Sequence, residues 1–242
     1  MTILQQIDLR IEQGATVAIV GSSGSGKSTF MNILGCLDHP TEGDYWLDGE
    51  DVSNLDRDQL ADIRNRKIGF VFQQFNLVPH LSVLENVRIA LQRRRGGSFD
   101  FWRSTRSLDQ FNERALKLIE DVGLSNFVNT TAVELAYGRK RALEIATTLA
   151  LDPEMLLLDE STAGMGHEDI DRIAALIKRV AADRTVLMVE HNMNVVASIA
   201  DTISVLQRGQ LIAEGPYDQV SKDPQVLEAY MGSAHTELQG AH

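Results

Sequence analysis

Short apolar runs alternate along the chain with longer segments whose apolar residues recur at helical spacing. The apolar runs are Val17–Val20, Ile68–Phe72, Met155–Leu158 and Val186–Val189. Strands that are apolar on both faces are typical of parallel sheets covered by helices on each side. Because each run is followed by a helical segment, the pattern predicts an α/β fold with a mainly parallel core sheet.

Weaker signals predict a small antiparallel β part beside this sheet. Apolar and charged residues alternate from Ile7 to Glu12, as in a half-buried strand. Asp48-Gly49 predicts the turn of a hairpin within residues 45–52. Arg208-Gly209 predicts a second turn, which joins apolar runs at 203–206 and 211–213.

Helical periodicity marks the segments between the apolar runs. The predicted helices cover residues 28–37, 56–66, 82–92, 108–122, 138–151, 168–182, 192–200, 217–221 and 225–231. Ser82 and Glu85 form a capping-box pattern at the start of one of them. No strand signal interrupts residues from about 79 to 151. We therefore predict a single domain over residues 1–242 with a helical subdomain inserted at 79–151.

Composition narrows the classes of protein to which the chain can belong. It is 43% hydrophobic and carries a formal net charge of −11. That acidic balance argues against nucleic acid as a partner, since nucleic-acid readers carry basic surfaces. No apolar run reaches the roughly 20 residues that span a bilayer, and the N-terminus lacks a signal-peptide pattern. We therefore expect a cytoplasmic protein, with the single cysteine, Cys36, as a small core residue.

One basic stretch departs from the acidic balance of the chain. It contains Arg88, Arg93, Arg94, Arg95, Arg103 and Arg106. Two interpretations stay open, a face near a membrane or an acidic partner and a solvated loop around Gly96-Gly97. We favour the loop, because runs of like charge are usually solvated.

The segment after the first apolar run matches the phosphate-loop pattern G-x-x-x-x-G-K-[ST]. Its glycines let the backbone curl so that N–H groups point at one anion, and the next helix adds its partial positive charge. Lys27 can reach the β and γ phosphates, and the Ser28 hydroxyl can bind Mg²⁺. The alternative, a flexible Gly/Ser loop, does not explain the strand-loop-helix context. The predicted nucleotide-binding residues are Gly21, Ser22, Ser23, Gly24, Ser25, Gly26, Lys27, Ser28 and Thr29.

Polar residues follow the other apolar runs directly. These are Gln73, the pair Asp159-Glu160, and His191. Ligands bind beyond the carboxyl ends of parallel strands, so we expect all of them at one edge with the phosphate loop. The sequence thus predicts that the polar residues after four strands lie together at one site.

Each of these residues has a chemical role that suits ATP hydrolysis. We predict that Asp159 joins Ser28 in holding Mg²⁺, and that Gln73 reaches the ion or the water through its side-chain oxygen. Glu160 can accept a proton from the attacking water, and His191 can hydrogen-bond the γ phosphate. Two alternatives stay open: the acidic pair caps the next helix, or His191 is structural.

Together these motifs resemble the ATP-binding subunits of ABC transporters, over nearly the full length of the chain. Gln73 matches the Q-loop glutamine of that family, and His191 matches its switch histidine. Residues 155–159 match the Walker B segment, and Glu160 matches the catalytic glutamate that follows it. The signature motif of the family corresponds to Leu135, Ala136, Tyr137, Gly138 and Arg139.

The resemblance implies a fold, cofactors and partners. It implies a P-loop NTPase that binds ATP with Mg²⁺ and hydrolyses it, with Glu160, His191 and Gln73 as catalytic residues. It also implies a homo- or heterodimer with two ATP bound head to tail, in which the signature segment acts on the partner's site. Transmembrane permease subunits would hold the chain at the inner face of the cell membrane.

The resemblance differs between two parts of the chain. Residues 15–90 look most like the lipoprotein-release and macrolide-export branch, on stretches such as FVFQQFNLVPHLSVLENV. Residues from about 98 to 232 look like the branched-chain amino-acid import branch, on SFDFWRS, ELAYGRKRALEIA, VEHNMNVV and LEAYMG. We interpret the chain as a mosaic joined near 92–97, by recombination or engineering. The longer match favours amino-acid import over export.

Departures from the family pattern predict weaker ATP binding and slower hydrolysis. The aromatic residue that stacks on adenine in this family would precede Ile7, and residues 1–6 contain none. By analogy with base stacking in other complexes, its loss lowers affinity about tenfold or more. In the signature segment Ala136 replaces a serine, a change that resembles the amino-acid import branch and should be tolerated, and Arg139 replaces a glutamine, which should be tolerated less well. Ser161 replaces a proline, which we expect to loosen the loop after Glu160.

Several functions are compatible with these motifs. The leading one is an ATPase subunit that energises a membrane transporter, possibly for branched-chain amino acids. The alternatives are an ATP-binding switch or assembly protein with little or no hydrolysis, and a subunit of a lipoprotein- or macrolide-type exporter. A nucleic-acid-linked ATPase of the family fits less well, because a second cassette and a long coiled-coil insertion are absent.

Overall fold

A mixed β-sheet lies at the centre of the computed structural model, which describes residues 3–94 and 110–229. The strands are β1 Thr16–Val20, β2 Trp46–Leu47, β3 Glu50–Asp51, β4 Ile68–Val71, β5 Met155–Asp159, β6 Thr185–Val189, β7 Thr202–Gln207 and β8 Gln210–Gly215. The main sheet has the order β4-β5-β6-β1-β7-β8, and β2 and β3 form a separate hairpin. Among the strands of residues 3–94 and 110–229, only β8 runs antiparallel in the main sheet, against β7. The predicted mainly parallel sheet with a small antiparallel part is confirmed.

Helices follow the strands at nearly the predicted positions. They are α1 Lys27–Leu34, α2 Arg57–Lys67, α3 Val83–Arg94, α4 Asn112–Asp121, α5 Tyr137–Leu149, α6 His167–Val180, α7 Met193–Ile199 and α8 Tyr217–Val220. The Ser82–Glu85 capping box is present, with the Ser82 N–H donating to Glu85 Oε2 over 2.8 Å. Two predicted helices, at 108–122 and 225–231, lie partly outside the described residues. Leu108 and Met231 are among the residues that are not described.

Two hydrophobic cores cover the two faces of the sheet. Alternate residues of each central strand enter opposite cores, as the two-residue period of a strand requires. In β5, Leu156 and Leu158 belong to one core, whereas Met155 and Leu157 belong to the other. This arrangement explains why the strands are continuous apolar runs, since neither face meets water.

The three helices α3, α4 and α5 lie between β4 and β5 in the chain. Their buried residues, among them Val87, Ile119 and Leu143, share one core with Ala18 and Leu158 of the sheet. The division of the chain into a main body and an inserted helical subdomain at 79–151 stays a prediction. Of the three helices, α5 contacts the sheet at β4, and α3 and α4 pack on α5 and on each other.

The predicted strand from Ile7 to Ile11 is wrong. The side chains of Ile7, Leu9 and Ile11 are partly buried and the charged residues between them are exposed, but the segment has no ladder partner among the described residues. Alternation specifies which side of an extended segment is buried, whereas a strand also needs a neighbouring backbone. Both predicted turns are present: Asp48-Gly49 and Arg208-Gly209 have positive φ angles, as tight hairpins require.

The basic stretch is only partly described. Arg88 contacts Asn112, Arg93 contacts Asn65, and Arg94 pairs with Asp152 over 2.6 Å. Arg95, Arg103 and Arg106 lie outside the described residues, as do SFDFWRS and Gly96-Gly97. None of the helices in residues 3–94 and 110–229 combines the length and the hydrophobicity that a membrane-spanning segment needs.

Cys36 should be chemically inert in the folded protein. The side chain is buried, and burial raises the pKa of its thiol to about 11. The reactive thiolate is therefore scarce at pH 8, and its sulfur is hard to reach. We expect iodoacetamide to modify Cys36 at least about a hundredfold more slowly in buffer than in concentrated urea. Equal rates in the two solutions, followed by mass spectrometry, would contradict this burial.

Candidate functional site

The phosphate loop curls tightly between β1 and α1. A Cβ atom at Gly21 would lie 2.1 Å from the carbonyl oxygen of Leu206, so only glycine fits there. Gly26 has a φ angle of 104° at the N-cap of α1, a left-handed conformation that glycine adopts without strain. The Lys27 ammonium donates to the carbonyl oxygens of Gly21 (2.8 Å) and Ser22 (2.9 Å). The loop therefore already encloses a positive charge at the start of a helix.

The sheet order brings the predicted polar residues to one edge. Strands β4, β5, β6 and β1 are neighbours and all parallel. Asp159 and Ile19 are both in register with Val189, so β5, β6 and β1 end at the same level. Gly21, Glu160 and His191 follow directly beyond that level. The common edge that the sequence predicts is therefore present.

Glu160 and His191 are in direct contact. His191 Nε2 lies 2.6 Å from Glu160 Oε1. Glu160 has a φ angle of 48°, in the left-handed region that costs a non-glycine residue roughly 1–2 kcal/mol. Its N–H donates to the Val189 carbonyl over 2.9 Å. The alternative that this acidic pair caps the next helix is excluded, because the N-cap of α6 is Gly166 and has no side-chain cap.

The donor set for a magnesium ion is partly assembled. Ser28 and Asp159 line the same cavity, of about 40 Å³. Burial raises the pKa of Asp159, and the negative charge of the neighbouring Glu160 raises it further. The ionised carboxylate is therefore disfavoured, and a bound cation would stabilise it. A hydroxyl and a carboxylate are the oxygen ligands that Mg²⁺ prefers. The residues therefore fit Mg²⁺.

Gln73 follows Phe72, which lines the same cavity as Ser28 and Asp159. It is exposed on the loop after β4 and does not line that cavity. The backbone of this loop is held instead by Arg141 of α5, which donates to the carbonyl oxygens of Phe72 and Gln73. The role of the Gln73 side chain toward Mg²⁺ or water stays a prediction.

Arg141 and Glu144 form an ion pair in the interior. Their side chains are 0% and 2% exposed. Glu144 also accepts the N–H of Asn76 over 3.3 Å, and the Arg141 guanidinium lies over the Phe75 ring. Burial raises the pKa of Glu144, which the adjacent guanidinium opposes. We refer to these contacts between the pair and the loop after β4 as the Arg141 clamp.

The signature segment forms the N-terminus of α5. Ala136 is the N-cap and makes no side-chain cap, so the first N–H groups of the helix are not used by a hydroxyl. Tyr137 packs edge-to-face on Phe75, with ring centroids 4.9 Å apart. The Arg139 guanidinium lies 4.2 Å from the centre of the Phe127 ring, a cation–π contact within its own subunit. That contact accommodates the arginine that stands in place of glutamine.

Ser161 is firmly held, contrary to the expectation of a loose loop. It is fully buried, and its hydroxyl donates to Glu190 Oε1 over 2.9 Å. A hydrogen bond thus restrains the loop where the family pattern has the rigid ring of proline. Slower hydrolysis itself stays a prediction.

The sequence did not single out Arg141, Glu144 or Glu190. All three are buried ionisable side chains. A faint signal exists for the first two, since charged residues spaced three apart interrupt the otherwise apolar side of a helix. Glu190 lies between an apolar strand and His191, but nothing in the sequence predicts the hydrogen-bond partners of Glu190.

A family model supplies the decisive comparison. The model described as "ABC transporter" matches residues 4–163, which include the phosphate loop, Gln73, the signature segment and Asp159-Glu160. The chain belongs to this family. A second model, described as "Branched-chain amino acid ATP-binding cassette transporter", matches residues 210–236 of this ABC cassette.

Relatives of this ABC cassette come from both branches. It is 35% identical to a macrolide export ATP-binding/permease protein of Vibrio parahaemolyticus, over 99% of this chain but only 35% of that protein. The chain thus spans about a third of that relative's length. It is 34% identical to the high-affinity branched-chain amino acid transport ATP-binding protein BraF of Pseudomonas aeruginosa, over 94% of this chain and 91% of that one.

The ABC transporter ATP-binding protein MJ0796 of Methanocaldococcus jannaschii is 38% identical over 87% of this chain and 88% of its own length. Its dimeric structure in a post-hydrolysis state, bound to ADP and Pi, superposes with a TM-score of 0.74. That match covers 88% of this chain and 90% of the solved one, at 37% identity. The P-loop NTPase fold of an ABC cassette is therefore confirmed, and ATP binding is a property of the family. The roles of the individual site residues stay predictions.

Proposed function

We propose that this chain hydrolyses ATP with Mg²⁺ and energises a membrane transporter. The observation that carries the proposal is the 2.6 Å contact between Glu160 and His191, at the same sheet edge as the phosphate loop. A carboxylate beside a held triphosphate can take the proton of an attacking water. A protein that only binds ATP has no need of this pair.

Each part of the site has a role in the proposed reaction. The loop N–H groups and Lys27 bind the phosphates. Burial lowers the pKa of Lys27, and the negative charges of Glu160 and Asp159 partly offset this decrease. Ser28 and Asp159 would hold Mg²⁺, which offsets the charge that develops on the transferred phosphoryl group. Glu160 accepts the water proton, and His191 orients Glu160 and bonds the γ phosphate.

The proposal includes a second ATPase subunit and permease subunits. No side chain at the N-cap position caps the N-terminus of α5, which makes its first N–H groups a suitable site for a phosphate held by a neighbouring cassette. The solved dimer of MJ0796 supports such an assembly by analogy. Association with permeases would place the chain at the inner face of the membrane.

For the cargo class, we propose branched-chain amino-acid import. The match of residues 210–236 to the model of that branch and the similarity to BraF over nearly both full lengths support it. Export of the macrolide type is the second candidate, which the similarity to the Vibrio protein over 99% of this chain favours. The mosaic interpretation, with its join near 92–97, accounts for both matches and stays a hypothesis.

Phosphate release from MgATP by the purified chain tests the ATPase proposal. We expect release that stops when EDTA removes Mg²⁺, and a rate per chain that rises with chain concentration, because two chains complete each site. Release without concentration dependence would contradict the paired site. ATP binding without release would favour the switch protein. Deletion of the gene, followed by leucine uptake and macrolide tolerance assays, would separate import from export.

A further inference from the structure

Glu190 is a buried carboxylate outside the proposed reaction. It lies between β6 and His191 and is 3% exposed. Its Oε1 accepts the Ser161 hydroxyl (2.9 Å) and the Thr162 N–H (3.0 Å). The Thr162 hydroxyl lies 3.1 Å from Oε1 and 3.0 Å from Oε2. These partners belong to the two residues that follow Glu160.

The partners of Glu190 make a second link between the same two loops. Glu160 contacts His191, and the residue that follows Glu160 contacts the residue that precedes His191. The backbone adds a third link, from the Glu160 N–H to the Val189 carbonyl. The ends of β5 and β6 are thus tied by three successive contacts.

Such a tie is needed because Glu160 is conformationally unfavourable. Its φ angle of 48° lies in the left-handed region, which persists in a non-glycine residue only when surrounding contacts hold it. The hydrogen bonds at Ser161 and Thr162 fix the backbone immediately after it. Burying a carboxylate costs desolvation free energy. The use of a buried carboxylate to hold this loop therefore indicates that the geometry of the loop matters.

We propose that Glu190 is a positioning residue, which holds Glu160 in its left-handed conformation against His191 through Ser161 and Thr162. The inference rests on the proposed ATP hydrolysis, since positioning matters for a reacting group. It assigns to Glu190 no contact with ATP. It also gives Ser161 a purpose: its hydroxyl completes the set of donors.

The test compares variants of Glu190 and Ser161 with a matched control. Glu190→Ala removes the acceptor, and Ser161→Ala removes one donor. Glu190→Gln keeps an acceptor oxygen but removes the charge, so it shows whether the hydrogen bonds or the negative charge of Glu190 matter. Ser204→Ala is the control: Ser204 is equally buried, lies on β7, and its hydroxyl has no partner in the described part of the chain. Each protein is measured for kcat, for KM with MgATP, and for amide hydrogen exchange.

The expected result is a loss of turnover with unchanged substrate binding. Misplacement of a reacting group by about 1 Å costs on the order of 10²-fold, so kcat should fall about 10- to 100-fold in Glu190→Ala and less in Ser161→Ala. KM should stay within about twofold, since the phosphate loop is untouched. Glu190→Gln should recover most of the rate, and Ser204→Ala should match the parent. Wild-type kcat in Glu190→Ala, or a Glu190→Gln as slow as Glu190→Ala, would overturn the proposal.

Amide exchange decides the inference even if the parent does not hydrolyse ATP. Absence of turnover would refute the proposed function alone. The positioning role still requires that exchange speeds up at 160–163 and 190–193 in Glu190→Ala and Ser161→Ala, with the rest of the sheet unchanged. Exchange that is unchanged there, or raised equally throughout the protein, would show that Glu190 does not position this loop.

Discussion

Replacement of Glu160 by glutamine should lower the rate of ATP hydrolysis by about 10²–10⁴-fold, the range that a general base contributes. Glutamine has nearly the same shape and can still contact His191 and occupy the same loop, but it cannot take a proton from water. Affinity for MgATP should stay within a few-fold, because the proposed phosphate contacts are those of Lys27 and the loop N–H groups. Phosphate release and equilibrium binding of a fluorescent ATP analogue measure the two effects separately.

The control for this variant is Glu120→Gln. Glu120 is an exposed carboxylate that pairs with Lys117 over 3.3 Å. It lies on α4, which packs against α3 and α5. It undergoes the same chemical change and should keep the parent rate. Equal rates for the parent and Glu160→Gln would remove Glu160 from the role of base. A fall in ATP affinity as large as the fall in rate would instead assign it to binding.

Arg141→Met should destabilise the protein by about 3–5 kcal/mol, the cost of leaving one member of a buried ion pair uncompensated. The side chains of Arg141 and Glu144 are 0% and 2% exposed, so water cannot replace the lost partner. The variant also removes the donors to the Phe72 and Gln73 carbonyl oxygens. The free energy of unfolding in urea measures the loss.

Two further variants separate the ion pair from its surroundings. The double variant Arg141→Met/Glu144→Leu removes both charges and should recover part of the stability, since apolar replacements of buried pairs are often well tolerated. Arg172→Met breaks an exposed pair with Glu168 and should change stability by no more than about 1 kcal/mol. If Arg141→Met behaves like Arg172→Met, the clamp is not a significant source of stability.

The framework of the fold could be predicted because its signals are local. Continuous apolar runs specify buried parallel strands, and β5 shows the reason, with alternate residues in two separate cores. The common edge follows from parallel order alone, which is why Glu160 and His191, 31 positions apart, were expected to be neighbours. The segment from Ile7 to Ile11 shows the limit, because its alternation does not indicate whether a pairing partner exists.

The buried charges could not be predicted because their meaning depends on distant residues. Arg141 acts on Phe72, 69 positions earlier, and Glu190 acts on Ser161, 29 positions earlier. Composition and spacing give no sign of such pairings. At Ser161 the sequence favours a flexible loop, because the proline of the family pattern is missing. The hydrogen bond from the Ser161 hydroxyl to Glu190, which the sequence does not reveal, holds this loop instead.

The Arg141 clamp has a mechanical consequence for a head-to-tail pair of subunits. In the proposed assembly, the loop that carries Gln73 would face the subunit's own ATP, whereas the N-terminus of α5 would face the ATP of the neighbour. Arg141, Glu144 and Tyr137 fasten these two parts together inside one chain. In the proposed pair of subunits, a shift of either part would therefore pull on the other, and each chain would form a mechanical link between its own ATP site and that of its neighbour.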